Sequence, residues 1–153
     1  MQFEKIDLQE HSEKMFNFRK DTFKVSFGDA SNFDKEAYLR WVEEKQKDFP
    51  EGFVLVKEDG RYIGQIELSI REYDGRTIGY VHLFYLVPDL RGKGKGEHLH
   101  NYAKQFFRNH KVHEYHLRVS PSNTSAIKFY YKNGMVEIGP EVDGKVIRMK
   151  GYL

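Results

Sequence analysis

The run Arg91-Gly92-Lys93-Gly94-Lys95-Gly96-Glu97 alternates glycines with basic side chains just ahead of a helical pattern. Glycine costs about 1 kcal/mol relative to alanine inside a helix, so the run serves something other than helix stability. A helix start leaves main-chain N–H groups unpaired and carries about +0.5 of a charge from the macrodipole. Glycines let a bulky anion come close to those groups. The chemistry this spacing could do is to hold a diphosphate; a surface turn with solvated lysines is the plainer alternative. A P-loop is absent, because no Gly-Lys-Ser/Thr follows at its spacing. A dinucleotide fingerprint needs a glycine where Leu99 stands.

Proton-transfer candidates lie close by. His82 sits on the strand-like run that leads into the glycines, and simple alternation puts it on the face of Tyr80, Phe84 and Leu86. An imidazole has a suitable intrinsic pKa, although a hydrogen-bonded structural histidine would look the same. Glu67, on the neighbouring strand, is the second candidate. Tyr130 shares a helical face with Ala126 and Ile127, which by periodicity alone reads as core. A metal site is not expected. The chain has no cysteine, and His98 and His100, two apart on a helix, face different ways. Surface positions are the simpler reading for the histidines.

The elements that must position these groups follow from patterning. A short strand is expected over residues 3–8 and helices over about 12–27 and 34–49. Three strands then run to Pro88, joined by Asp59-Gly60 and Asp74-Gly75, which are hairpin signals. A helix over 94–109 carries an apolar stripe at Leu99, Ala103, Phe106 and Phe107. A strand over 114–119, a helix over 124–132 and a final hairpin turning at Asp143-Gly144 complete the chain. The strand–helix–strand piece from Thr77 to Val119 implies a right-handed parallel crossover. With no repeat or linker, the 153 residues read as a single domain, 1–153.

Composition narrows the classes of function. A formal net charge of +2 is too small for a nucleic-acid domain, so an RNA-binding reading of Arg91, Lys93 and Lys95 lacks an extended basic face. No apolar stretch is long enough to span a membrane, and the N-terminus shows no signal-like apolar core. With no cysteine, a reducing cytoplasm is the expected location.

Two blocks carry a resemblance. Phe84-Tyr85-Leu86-Val87-Pro88 followed by Arg91-x-x-Gly94-x-Gly96 is one. Asn123-Thr-Ser-Ala126-Ile-Lys-Phe-Tyr130-Tyr-Lys132-Asn-Gly134-Met135 is the other, with Met135 in place of the usual Phe. Together, with the element order, they resemble the GNAT superfamily of acetyl-CoA-dependent N-acetyltransferases across nearly the whole chain. The resemblance implies an α/β (α+β) fold: a mixed, mostly antiparallel twisted sheet of six to seven strands, flanked by about four helices. Splayed parallel strands would form the acetyl-CoA cleft.

The resemblance also implies roles. The amides of Gly92, Lys93, Gly94, Lys95, Gly96 and Glu97, with Arg91, would bind the pyrophosphate of acetyl-CoA. The pantetheine arm would pair with the main chain at Phe84, Tyr85 and Leu86, and the Leu86 amide would meet the oxyanion. Tyr130 would be the general acid for the leaving sulfur. Asn123 would cap its helix and contact the cofactor arm. The base is open between His82 and Glu67. Phe27, Phe33 and Trp41 would shape the acceptor pocket. The implied reaction is direct acetyl transfer from acetyl-CoA to a primary amine in a ternary complex. The alternative is a non-catalytic acyl-CoA-binding or regulatory domain on the same scaffold. Exposed sheet edges make a homodimer plausible.

Overall fold

A computed structural model describes residues 1–27 and 33–153, without side chains at residues 26 and 27. Seven strands form one sheet in the order β1-β2-β3-β4-β5-β7-β6. They are β1 (Gln2–Lys5), β2 (Phe53–Glu58), β3 (Arg61–Tyr73), β4 (Arg76–Leu86), β5 (Glu114–Val119), β6 (Val136–Glu141) and β7 (Val146–Tyr152). The helices are α1 (Leu8–Phe27), α2 (Lys35–Asp48), α3 (Gly96–Asn109) and α4 (Thr124–Lys132). The expected mixed sheet with four helices is therefore what the chain forms.

Local chemistry sets the joints. At Asp59-Gly60 and Asp74-Gly75 both residues have positive φ, which matches the right-handed twist of the flanking strands. Asp34 starts α2 by accepting from the Ala37 amide at 3.1 Å, and Asn123 starts α4 by accepting from the Ala126 amide at 3.3 Å. Pro50 stands just past the end of α2 and stops it. Met15, Phe18, Tyr38 and Val42 of α1 and α2 are buried, as are Leu99, Ala103, Phe106 and Phe107 of α3. Gly79 lets α3 lie close on β4: a Cβ there would come within 2.4 Å of the Phe107 ring.

The feature that makes a site is the split between β4 and β5. Their parallel ladder holds only from Gly79↔Tyr115 to Val81↔Leu117. Beyond it, β4 continues with β3 to Gly64↔Leu86, and β5 continues with β7 to Val119↔Ile147. The divergence starts at a bulge. On β3 the consecutive residues Glu67 and Leu68 pair with Leu83 and Val81, so His82 is the extra residue of β4. A bulge bends its strand and sharpens the twist, which turns β4 away from β5.

The bulge also corrects a reading of the sequence. Alternation puts His82 on the face of Phe84 and Leu86. In the structure His82 meets Trp41 of α2, at 4.9 Å between ring centroids. Phe84 stacks on His100 of α3 at 5.5 Å, on the other face of the sheet. The extra residue reverses the alternation between the two positions.

Candidate active site

The split leaves main-chain groups facing a cleft. The Val87 amide donates to the Ile63 carbonyl at 2.9 Å. In an antiparallel ladder every second residue spends both its groups on the same neighbour. Tyr85 therefore faces β3, while Phe84 and Leu86 turn their N–H and C=O groups toward the side that β5 has left. Arg91 Nε donates to the Leu86 carbonyl from that side at 2.9 Å. Unpaired main-chain donors and acceptors need partners when covered, so an extended, amide-containing ligand fits here as an added strand.

A cleft of about 430 Å³ continues from these groups to the glycine run, lined by Phe84, Leu86, Arg91, Gly92, Gly94 and Gly96 among others. The glycines do different jobs. Gly92 and Gly94 have φ of +73° and +80°, with open space where a Cβ would stand. Gly96 begins α3, and a Cβ there would meet the Phe129 ring at 3.2 Å. The basic side chains separate too. Arg91 bonds Asp21 of α1 at 2.9 Å, and the Tyr85 hydroxyl donates to the same carboxylate at 2.7 Å. Lys95 is turned back onto Glu58 of β2, at 2.9 and 3.0 Å. Lys93 and Lys95 do not line the cleft, whereas Glu97 does. The glycine run therefore borders the cleft without the Lys93 and Lys95 side chains, which leaves main-chain N–H groups as the donors an anion could use there.

A second cavity, of about 300 Å³, lies beyond the first. Tyr130, Phe84, Asn123 and Thr22 line both, so they stand at the junction. Burial pushes the Tyr130 hydroxyl up to about 12, so it stays protonated at neutral pH. Among the described residues that hydroxyl has no hydrogen-bond partner. It is a donor placed where the two cavities meet.

The two base candidates differ. His82 lines the second cavity and shares a 2.7 Å hydrogen bond with the Ser69 hydroxyl through Nε2. Burial, then the charges of Arg71, Arg19 and Lys45, pull its pKa down to about 3. It is neutral and weakly basic. Glu67 is fully buried and does not line either cavity. Its Oε2 accepts from Tyr38 at 2.5 Å and from Gln65 at 3.0 Å. Arg19 lies 3.4 Å from Oε1. Burial raises the Glu67 carboxyl pKa, and Arg19, Tyr38 and Gln65 oppose that rise.

Of the aromatic residues expected at the acceptor pocket, Phe33 and Trp41 do not line the second cavity. Trp41 reaches the second cavity only through its contact with His82. Phe33 packs among Phe16, Phe23 and Tyr38. The side chain of Phe27 lies outside the described residues. Several lining residues were missed from the sequence: Ser125, Ala126 and Phe129 of α4, Thr22 of α1, and Arg19 and Arg118 of the second cavity. The two arginines sit on elements with no motif, so only the fold brings them in.

His100 and His116 also correct the surface reading of the histidines, since both are fully buried. His100 bonds the Tyr115 hydroxyl at 2.5 Å. Its signal was available: it precedes Ala103 by three and Phe107 by seven, inside the apolar stripe. Among the described residues no group of His, Asp and Glu could hold a metal ion. Among them, too, no helix is long and apolar enough to cross a membrane.

A sheet split beside a glycine-led helix, with a tyrosine at the junction of two cavities, defines a class: proteins that lay a pyrophosphate-bearing ligand along a broken sheet. The family model of the acetyltransferase (GNAT) family matches residues 12–135, and the chain belongs to that family. An uncharacterized N-acetyltransferase of Methanocaldococcus jannaschii is 27% identical over 103 residues, covering 65% of this chain and 44% of that protein. Another, of Archaeoglobus fulgidus, is 28% identical over 102 residues, covering 63% and 66%. The chain thus spans less than two thirds of the length of these relatives.

Solved structures share the fold. The ribosomal-protein-alanine N-acetyltransferase of Brucella melitensis superposes with a TM-score of 0.76 at 17% identity, over 100% of both chains. The PaiA N-acetyltransferase of Thermoplasma acidophilum, solved in complex with coenzyme A, gives 0.72 at 22% identity, over 99% and 98%. Acetyl-CoA is the donor that this family uses.

Proposed function

We propose that this protein is an N-acetyltransferase that moves an acetyl group from acetyl-CoA to a primary amine by direct attack in a ternary complex. The observation that carries the reading is the split sheet, whose exposed main-chain groups at Phe84 and Leu86 run straight into the glycine-led start of α3. The N–H groups of residues 92–97 would take the pyrophosphate, and Phe84 and Leu86 the pantetheine amides. The Leu86 amide would stabilise the oxyanion.

In the reaction the amine nitrogen bonds the acetyl carbon, the C–S bond breaks and its electron pair leaves on sulfur. Tyr130 supplies the proton that converts this thiolate to thiol. The amine must give up one proton, so the count balances once that proton reaches His82, solvent or the emptied tyrosine oxygen. Holding both substrates together is worth several kcal/mol more. With no cysteine in the chain, a thiol-borne acyl intermediate has no carrier.

A second reading, acyl-CoA binding without catalysis, draws on one observation. Glu67 is buried away from both cavities and His82 is weakly basic, so neither is a ready base. Turnover separates the two readings. Acetyl-CoA should be consumed when a library of amines is supplied. Binding by calorimetry without consumption would favour the second reading, and absence of binding would overturn both. A homodimer belongs to the same proposal, through the edge strand β6, where Val136 and Ile138 are 47% and 42% exposed; sedimentation tests it. The cytoplasmic location expected from the cysteine-free sequence is tested by cell fractionation.

A further inference from the structure

The second cavity is lined with positive charge. Arg19 and Arg118 are in its wall. Tyr80, also in the wall, has the guanidinium of Arg71 4.5 Å from its ring centroid and that of Arg148 5.7 Å away. Two carboxylates answer these four cations. Glu67 faces Arg19 at 3.4 Å, and Glu141 is shared by Arg118 and Arg148, both at 2.9 Å. Arg118 and Arg148 stand directly opposite each other on β5 and β7, an unfavourable pairing that one bridging carboxylate only half relieves. Among the described residues Arg71 makes no ion pair, and neither does Lys45, whose charge also reaches His82.

This excess is concentrated where the acceptor must sit. Low-dielectric walls focus such a field. A polyamine entering here would bring like charge into a desolvated, positive pocket, which is costly. An acceptor with its own anionic group would meet planar guanidinium donors built for carboxylate or phosphate. The same field does a second job. Neighbouring positive charge disfavours an ammonium, so it helps keep the attacking amine neutral where His82 is weakly basic and Glu67 does not reach the cavity.

Resting on the acetyl-transfer reading, we propose that the acceptor is an amine carrying a carboxylate or phosphate, and that Arg71 and Arg118 hold this group. Arg71 is exposed and Arg118 is 42% exposed, so both can reach a ligand.

Matched acceptors test the proposal: β-alanine against propylamine, and O-phosphoethanolamine against ethanolamine, with spermidine as the cationic arm. The anionic member of each pair should have a kcat/KM about tenfold higher or more, the scale of one charge-assisted hydrogen bond. Whichever anionic acceptor gains more identifies the group as carboxylate or phosphate. Arg71→Gln and Arg118→Gln should each raise KM for the anionic member about tenfold and shrink the preference. Arg71→Lys, which keeps the charge, should retain most of it. Preference for propylamine, ethanolamine or spermidine, or an unaltered preference in both glutamine variants, would overturn the proposal. Calorimetry of N-acetyl-β-alanine against N-acetylpropylamine, with CoA present, reads the same selectivity without turnover. Anion-selective binding with no acetylation of any amine would overturn the transfer reading but support the charge selection. Acetylation without anionic preference would do the reverse.

Discussion

Tyr130 is defined by what surrounds its hydroxyl. Burial keeps the proton on, with a pKa near 12, and no described neighbour competes for it. A thiolate arriving from the CoA side would be its first partner. Tyr130→Phe keeps the ring and removes the proton, so kcat should fall by about 10²-fold or more, with acetyl-CoA affinity by calorimetry almost constant. Unchanged turnover, with chemistry rate-limiting, would remove Tyr130 from the mechanism. His100 gives a pH prediction. Burial, then Lys104, depresses its pKa to about 4. The unfolded chain protonates this histidine near pH 6.5, and the folded chain resists until about pH 4. Its contribution to stability is therefore complete above about pH 6.5 and is lost as pH falls toward 4. The raised Glu67 acts with the opposite sign, gaining stability as pH falls, so the comparison must be between variants. His100→Phe should show a smaller loss of melting temperature than the unaltered protein between pH 7 and 4. Equal losses would refute the assignment.

Among elements, β4 decides the site, because its bulge ends one ladder and opens the next space. Gly79 fixes where α3 lies on that strand. Gly79→Ala would push a methyl to within 2.4 Å of the Phe107 ring, and overpacking of this kind costs about 1–3 kcal/mol. Urea unfolding should show that loss; an unchanged midpoint would contradict the close approach. Gly94→Ala meets no atom but must hold a φ of +80°. It should cost about 1 kcal/mol and weaken acetyl-CoA binding more than it weakens the fold. The glycine run, the Asp-Gly hairpins and the α4 block were legible in the sequence because each is a local signal, set by backbone conformation at fixed spacing. The bulge at His82 was not, since nothing in Val81-His82-Leu83 marks the extra residue. His116 was misread because it alternates with Glu114 and Arg118, a polar pattern that β7 covers with Arg148.

Over the whole molecule, β1 to β4 form one wing of the sheet and β5 to β7 the other, joined by a short parallel ladder. A ligand that bridges the wings binds only the folded chain. Acetyl-CoA at a hundred times its Kd should therefore stabilise the protein by about 2.7 kcal/mol, seen as a raised melting temperature. The element order and crossover were readable because hydrophobic period and turn residues encode them. The proposed acceptor site was not, because Arg19 and Arg118 of the second cavity and the nearby Arg71 and Arg148 come from α1, β5, β3 and β7 and meet only after folding. The most direct test is a crystal structure with acetyl-CoA bound. The account predicts the pyrophosphate on the main-chain N–H groups of residues 92–97, the arm against Phe84 and Leu86, and sulfur within reach of the Tyr130 hydroxyl. Acetyl-CoA seated elsewhere, with the space between β4 and β5 left empty, would contradict it.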